Sequence, residues 1–497
     1  MKAKGRFVQR ALRGSTALQA LALVGAGIGA LAAAVPAAAQ DITSGSVSGV
    51  VRTAGGAPIA DATVTLLSTD RGSERRVTTN AQGQFTAPQL PTGVYRVTIT
   101  AAGYQATQTD DVRSELGGAS YTFTMNVAPT EAAADIVVTG RPQRAIDFSS
   151  TATGQVFNVQ QVASQLPVAR NATAVQLLAP QAVPGDSAFG NNASFAGSSV
   201  AENIYYINGM NITNFRTFVG GSTIPFEFYD TLQVKTGGYQ AEFGRNTGGA
   251  VIALSRSGTN EFRGGFNVYY SPNWASDTAP NTYAAHNKLD QRDNIEGNIW
   301  ASGPIIKDHL FFFAFLNPRD FFQQDTSWSE TFNAAGTAST GFVDNTVRKQ
   351  FQNAPFYGGK LDLNVIDGQR FELTYFNDSA DTLIKQTVVG SGVTSSTRTF
   401  SGGSNLIGKY TGTFTDWLTV SALYGRSNFN QTVAGSDDSV PYVLDGRSGT
   451  LVYVAGNPNG VIETGKDRRE DYRVDVDLTF NLLGSHKVRF GGDYEKL

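Results

Sequence analysis

The sequence predicts an all-β-dominated protein: a small β-sandwich, then an α+β domain, then the first strands of a large antiparallel transmembrane β-barrel. Three observations lead there. Residues 43–127 hold short β-rich runs at regular spacing, each closed by turn residues. Residues 151–260 mix helix and strand signals around glycine-rich turns. Beyond Glu261, apolar and polar residues alternate in segments of about ten, as in barrel strands with one face in lipid.

The start of the chain sets the compartment. Residues 1–39 carry Lys2, Lys4, Arg6, Arg10 and Arg13 and no acid, followed by an apolar run from Ala17 to Val35 and then Ala37-Ala38-Ala39. Positive region, apolar region and small-residue site describe a secretory signal peptide, cleaved after Ala39. The run nearly reaches spanning length, but its many Gly and Ala residues make it a weak membrane anchor. Gly25-Ala26-Gly27-Ile28-Gly29 lies in this leader without the strand, helix and acid of a dinucleotide fingerprint. Setting the five basic leader residues aside from 39 leaves 34 against 42 acidic, so the mature chain is a poor nucleic-acid binder. The 497 residues include no cysteine, which excludes disulfides, thiolate metal sites and cysteine nucleophiles. No long apolar stretch free of polar residues follows residue 40. A membrane form of the mature chain must therefore be a barrel.

In residues 40–128 the predicted strands are Ser46–Arg52, Ala62–Ser68, Glu74–Thr79, Gln84–Ala87, Gly93–Ala101 and Ser120–Val127, an antiparallel sandwich. The segment has no histidine and no cluster that could hold zinc. Residues 129–149 form an Ala-rich linker interrupted by the β-prone string Asp135-Ile136-Val137-Val138-Thr139-Gly140. Such a string is either a solvated tether or a strand that adds to the edge of a partner's sheet. Within residues 150–261, Val159–Gln165 and Ala172–Leu178 read as short helices, and Asn203–Asn208, Leu232–Lys235 and Ala250–Ser255 as strands. The glycine-rich stretch Gly237–Gly249 lacks the Gly-Lys-Ser/Thr ending of a phosphate loop, so its glycines serve turns.

Residues 262–497 supply about nine barrel strands, from Phe262–Tyr270 to His486–Tyr494. Tyr472, Val474, Val476, Leu478 and Phe480 alternate with Arg473, Asp475, Asp477 and Thr479; Leu361 and Leu363 alternate with Lys360 and Asp362; Phe371 and Leu373 alternate with Arg370 and Glu372. A soluble sandwich would alternate in the same way, so connection lengths carry the distinction. Tight turns at 303–308, 366–368, 415–417 and 483–485 alternate with long polar connections near 271–291, 326–353, 382–404 and 431–467. Short inner turns and long outer loops are how outer-membrane barrels are built. Phe311-Phe312-Phe313, beside the first tight turn, suits an aromatic girdle.

Several motifs resemble known families. Gly49–Val51, Gly56–Val64, Thr79–Phe85 and Leu90–Ile99 are similar to the carboxypeptidase-regulatory-like domain, a transthyretin-type sandwich. Glu202–Asn211 (ENIYYINGMN), Ile224–Ile252 and Ser255–Gly264 (SRSGTNEFRG) resemble the plug and plug-to-barrel junction of TonB-dependent receptors, nearest the Oar-like branch; Gly303–Phe313 is similar to the same branch. Asn208 stands where that family commonly has Asp, and Ala196-Gly197 where Arg-Gly is common.

The resemblance implies an outer-membrane receptor for energy-coupled uptake. Asp135, Ile136, Val137, Val138, Thr139 and Gly140 would be the Ton box that binds periplasmic TonB. Residues 150–261 would be the plug, and the partners would be TonB, outer-membrane lipid and an extracellular ligand such as a siderophore, oligosaccharide or peptide. No cofactor, metal or catalytic residue is implied. Family barrels close at about 22 strands, more than residues 262–497 supply, and the chain stops in mid-strand, so an incomplete barrel is expected. Glu242 and Arg245 either contact lumen charges or are ordinary solvated charges. The alternative function is a surface receptor or adhesin anchored by the barrel, without transport. An enzyme ranks third, because His286, His309 and His486 are isolated from any triad or metal-ligand spacing.

Overall fold

The computed structural model describes residues 42–128, 137–139, 143–145, 152–166, 169–190, 192–244, 246–435, 443–447, 449, 452–455, 463–481 and 485–497. The leader and its cleavage site lie outside these residues.

The first unit is a two-sheet sandwich. Its strands are β1 (Gly45–Thr53), β2 (Thr63–Ser68), β3 (Glu74–Thr78), β4 (Gln84–Leu90), β5 (Gly93–Thr100), β6 (Thr107–Ser114) and β7 (Ala119–Met125). One sheet has the order β4-β1-β7 and the other β3-β2-β5-β6. Alternate residues point inward, so Val47, Val51, Leu66, Val97, Ile99, Tyr121 and Phe123 share one core. Burying each large side chain there is worth about 1.5–3 kcal/mol. Two expectations are corrected. β1 runs parallel to β7, so the sandwich is not purely antiparallel. A further strand, β6, lies in a stretch read as connection, and Thr107, Thr109 and Ser114 are its small, polar inward residues.

Two short strands follow. β8 (Val137–Thr139) adds to the sheet edge at β6, and β9 (Gln143–Arg144) to the other sheet at β7.

The second unit packs two helices and short 3-10 turns around a five-stranded sheet. Val159–Gln165 starts where Asn158 Oδ1 accepts from Gln161 N, and Ala172–Gln176 starts where Asn171 Oδ1 accepts from Ala174 N. The strands lie in the order Thr153–Asn158, Tyr229–Gly237, Ala250–Ser255, Ile204–Ile207, Met210–Asn211. Ile204–Ile207 and Ala250–Ser255 are buried on both faces, and they pair in parallel.

Around this sheet curves a wall of thirteen hydrogen-bonded pieces. They join into nine antiparallel spans, each paired with its sequence neighbours: 263–271, 291–306, 310–332, 339–366, 369–388, 394–415, 418–435, 463–481 and 485–496. Four spans are interrupted, at Pro318, at 353–355, at 378–379 and at Gly403. Pairings Asn317 with Phe356, Tyr357 with Asn377 and Asn377 with Ser404 put these interruptions at one height across the wall. Beyond that height the connections near 326–353 and 382–404 are not loops. They are hairpins, Arg319–Phe332 with Ser339–Gln352 and Ala380–Val388 with Thr394–Gly402. Their Thr, Ser, Gln and Asn residues meet water on both faces, so no alternation marks them in the sequence.

Burial decides what the alternation left open. Lys360, Asp362, Arg370, Arg473 and Asp475 are buried on the inner face, whereas Leu361, Leu373, Phe371, Tyr472 and Val474 are 40–51% exposed on the outer one. A soluble sandwich would have the reverse polarity. An apolar exterior around a charged interior is the polarity of a barrel in lipid.

The expected girdle is corrected as well. Phe311 and Phe313 point inward and are fully buried. The outer face instead carries Tyr357 beside Tyr375, and Tyr424, Tyr472 and Tyr494 in adjacent spans, at the height of the interruptions. Phe414, Trp417 and Phe480 lie near the tight turns at the other end. From Tyr472 to Phe480 is about 27 Å of strand, or roughly 20 Å of depth at a tilt of ~40°.

Candidate functional site

The first candidate element is the string in the linker. Val137–Thr139 pairs in parallel with β6, Thr107 opposite Val137, Gln108 opposite Val138 and Thr109 opposite Thr139. Asp135, Ile136 and Gly140 lie outside the described residues. A few residues on, Gln143 and Arg144 pair with Thr122 and Tyr121, and Arg144 forms an ion pair with Glu115. The β-prone pattern is therefore used as a strand, at a sheet edge within the chain itself.

The second element is the contact between the central sheet and the wall. Glu242 Oε2 lies 3.1 Å from Arg473 Nη2 and 3.4 Å from Arg489 Nε. Arg473 Nε donates to Asp475 Oδ2 at 2.7 Å, and Arg489 Nη2 donates to the same oxygen at 3.1 Å. These four groups are 7–13% exposed. Of the two sequence readings of Glu242, the lumen contact is the one observed; Arg245 lies outside the described residues. A second cluster joins Lys360 to Asp362 and Glu372 at 3.2 and 2.7 Å, with Arg370 on Glu372 at 3.1 Å. Arg469 Nη1 donates to the carbonyls of Asn211 and Thr213, tying the end of the hairpin's second strand to the wall. Gly425 allows close approach there, since a Cβ would stand 2.6 Å from Met210.

Asn208 adds a neutral link. Its Nδ2 donates to Ser255 Oγ at 2.8 Å and to Thr374 Oγ1 at 2.9 Å, while its Oδ1 accepts from Ser255 N at 3.0 Å. It turns the hairpin at φ +46°, a conformation Asn tolerates. Gly209 continues the turn at φ +92°, where a Cβ would meet Thr43 and Leu423.

Apolar contacts cross the same interface, among them Phe215 against Phe429 at 5.7 Å between ring centres. Phe228 of the central domain sits 5.3–6.1 Å, ring to ring, from Phe313, Phe315, Phe356 and Phe376 of the wall. Lys235 is also buried, with Nζ 4.7 Å from the Phe243 ring. Burial lowers its ammonium from 10.5 to about 8, and Glu242 opposes that shift.

The histidines have structural surroundings. His286 Nδ1 is 2.7 Å from Asp344 Oδ1 and stacks on Trp328, His309 Nδ1 contacts the Asn364 carbonyl, and His486 stacks on Phe480. Among the described residues no group of three or more His, Cys, Asp or Glu could hold a metal ion.

Residues 46–128 match the carboxypeptidase regulatory-like domain family. Over 305 residues, 59% of this chain, the sequence is 31% identical to the TonB-dependent transporter Oar of Myxococcus xanthus. The chain is a homologue of that transporter. It spans 28% of Oar's length. The outer membrane transporter YddB of Escherichia coli superposes with TM-score 0.50 at 14% identity, over 69% of this chain and 48% of that one, which shows a common fold. The ferric enterobactin receptor PfeA of Pseudomonas aeruginosa superposes with TM-score 0.45 at 12% identity, over 70% and 49%. Oar, the relative matched in sequence, is a TonB-dependent transporter and not an enzyme.

Proposed function

We propose that this chain belongs to a TonB-dependent outer-membrane transporter, with residues 150–261 as its plug and Asp135–Gly140 as its Ton box. The observation that carries the reading is the polarity of the wall: charged residues face a filled interior and apolar residues face outward. A soluble β-protein has no use for that arrangement. Cleavage of residues 1–39 and insertion into the outer membrane belong to the same proposal.

The residues divide the work. The plug is held to the wall by apolar packing and by ion pairs and hydrogen bonds from Glu242, Asn208 and the Asn211–Thr213 backbone. Water entering the lumen can replace the polar contacts one at a time as the plug moves. Phe228, caged by four wall phenylalanines, would fix the resting position. Ligand arriving from outside would meet the outer hairpins and the plug loop 213–221, and TonB would take Asp135–Gly140 as an added strand. The ligand is an extracellular solute such as a siderophore, oligosaccharide or peptide.

The test uses the full-length protein in cells. Val137→Pro removes a backbone donor and fixes φ, whereas Val137→Ala keeps the main chain intact. Transport should collapse in the proline variant and persist in the alanine variant, with surface binding of ligand near wild type in both. Normal transport by the proline variant would sink the coupling role of this segment.

A further inference from the structure

We propose that the N-terminal sandwich holds the coupling strand retracted, so that β6 and TonB compete for Val137–Thr139. The inference rests on the reading of Asp135–Gly140 as the TonB-binding segment.

Without β8 and β9 the sandwich would present β6 and β7 as open edges on the same side. Open edges are templates for any extended chain, and here the chain's own linker fills both. β8 uses one edge of its ladder on Thr107–Thr109, and β9 pins the segment again at Tyr121–Thr122, with the Arg144–Glu115 ion pair beside it. The strand is thus held at two points, one on each sheet.

The sandwich itself is seated on the mouth of the wall. Asn260 N donates to the Asp70 carbonyl at 2.8 Å, Glu74 N donates to Asp367 Oδ1 at 3.3 Å, and Gln89 bonds to Asp477. Gln155 and Val156 of the central sheet share a small cavity with Gly117, Gly118 and Arg144. The coupling strand is therefore kept close beneath the barrel. Once released, residues 140–152 could extend up to about 43 Å from the central sheet at ~3.3 Å per residue. A partner anchored in another membrane gains that reach only from the released form. If a fraction f of molecules is released, the apparent Kd for TonB is the intrinsic one divided by f. The three-residue ladder of β8 is short enough to open, and a ligand signal that loosens the sandwich's seat would raise f.

The absence of cysteine makes a direct test possible. Gln108→Cys with Val138→Cys places one thiol on each strand at directly paired positions, ~4.8 Å apart between strands and within disulfide range. The full chain, extracted from outer membranes, is oxidised or reduced and offered to a soluble periplasmic TonB fragment, with Val138→Cys alone as control. The disulfide should form readily, capture by the oxidised form should fall at least about tenfold, and reductant should restore it. Equal capture by the oxidised form would mean that TonB adds to the free edge of β8, and competition is wrong. Failure of the disulfide to form would mean that the pairing is not populated, which also overturns the proposal. If neither wild type nor reduced variant captures TonB, the Ton-box reading itself fails and takes this proposal with it. That result is recognised by the wild-type control.

Discussion

Glu242 and Arg473 meet at 3.1 Å although 231 positions separate them, and both are nearly excluded from solvent. The pair is one point where the central sheet is tied to the wall, and Asp475 and Arg489 complete it as a square of alternating charge. Breaking one member leaves a buried charge uncompensated, at a cost of about 3–5 kcal/mol. Glu242→Gln should therefore speed amide exchange in Ile204–Ile207 and Ala250–Ser255 while leaving the outer-face strands unchanged. Unchanged exchange in both segments would show that the central domain does not depend on this contact.

Phe228 should be the largest single apolar contributor to seating the central domain against the wall. Phe228→Ala empties a site walled by four phenylalanines and should cost about 3–5 kcal/mol, since the cage belongs to a rigid sheet that cannot collapse. Phe228→Leu should recover most of that loss. Calorimetry of the three proteins tests the order, and an alanine variant that melts with wild type would remove the lock.

Leu373 distinguishes a bilayer from water. It is 45% exposed. In water, Leu373→Arg should change stability by less than about 0.5 kcal/mol, but near the bilayer midplane it should cost about 2–4 kcal/mol. Folding into lipid vesicles, read from heat-modifiable mobility on gels, should fall for Leu373→Arg and not for Leu373→Ala. Equal folding of both would count against a lipid-facing surface.

Lys235 gives a pH dependence with a definite sign. Its folded value of about 8 lies below the ordinary 10.5, so the folded state binds fewer protons than the unfolded one. Stability is reduced fully below pH 8, by about 3 kcal/mol, and recovers as pH rises toward 10.5. Lys235→Met should thus be the more stable protein at pH 7, with the gap closing by pH 10. A gap that is constant across that range would show that burial of the ammonium is not its cause.

Local signals in the sequence matched the structure where they rested on one element. The helix Val159–Gln165 and the strand Ala250–Ser255 occupy their predicted residues, because an Asn cap and an unbroken apolar run are local features. Face assignment was less legible. Phe311-Phe312-Phe313 has no alternation, and only the pairing of Phe313 with Lys360 and the packing on Phe228 show which rings point inward. β6 escaped because its inward residues are mostly small and polar and Asp111, at φ +61°, breaks its period. Glu242 was noticed as a charge, but its partners come from spans more than two hundred residues away, beyond any motif. The pairing of Val137–Thr139 with β6 was equally hidden, since an edge strand and a tether have the same composition.

The row of interruptions at Pro318, 353–355, 378–379 and Gly403 has an evolutionary consequence. A one-residue slip in a continuous strand would turn every outward apolar side chain to the charged inner face. Here the four interrupted spans each have a joint between the part with an apolar outer face and the hairpin beyond it. Insertions and deletions in the outer hairpins can be absorbed at that joint without disturbing the parity below. Lineages could therefore diversify the hairpins beyond the joint while the tier with the apolar outer face stays in register.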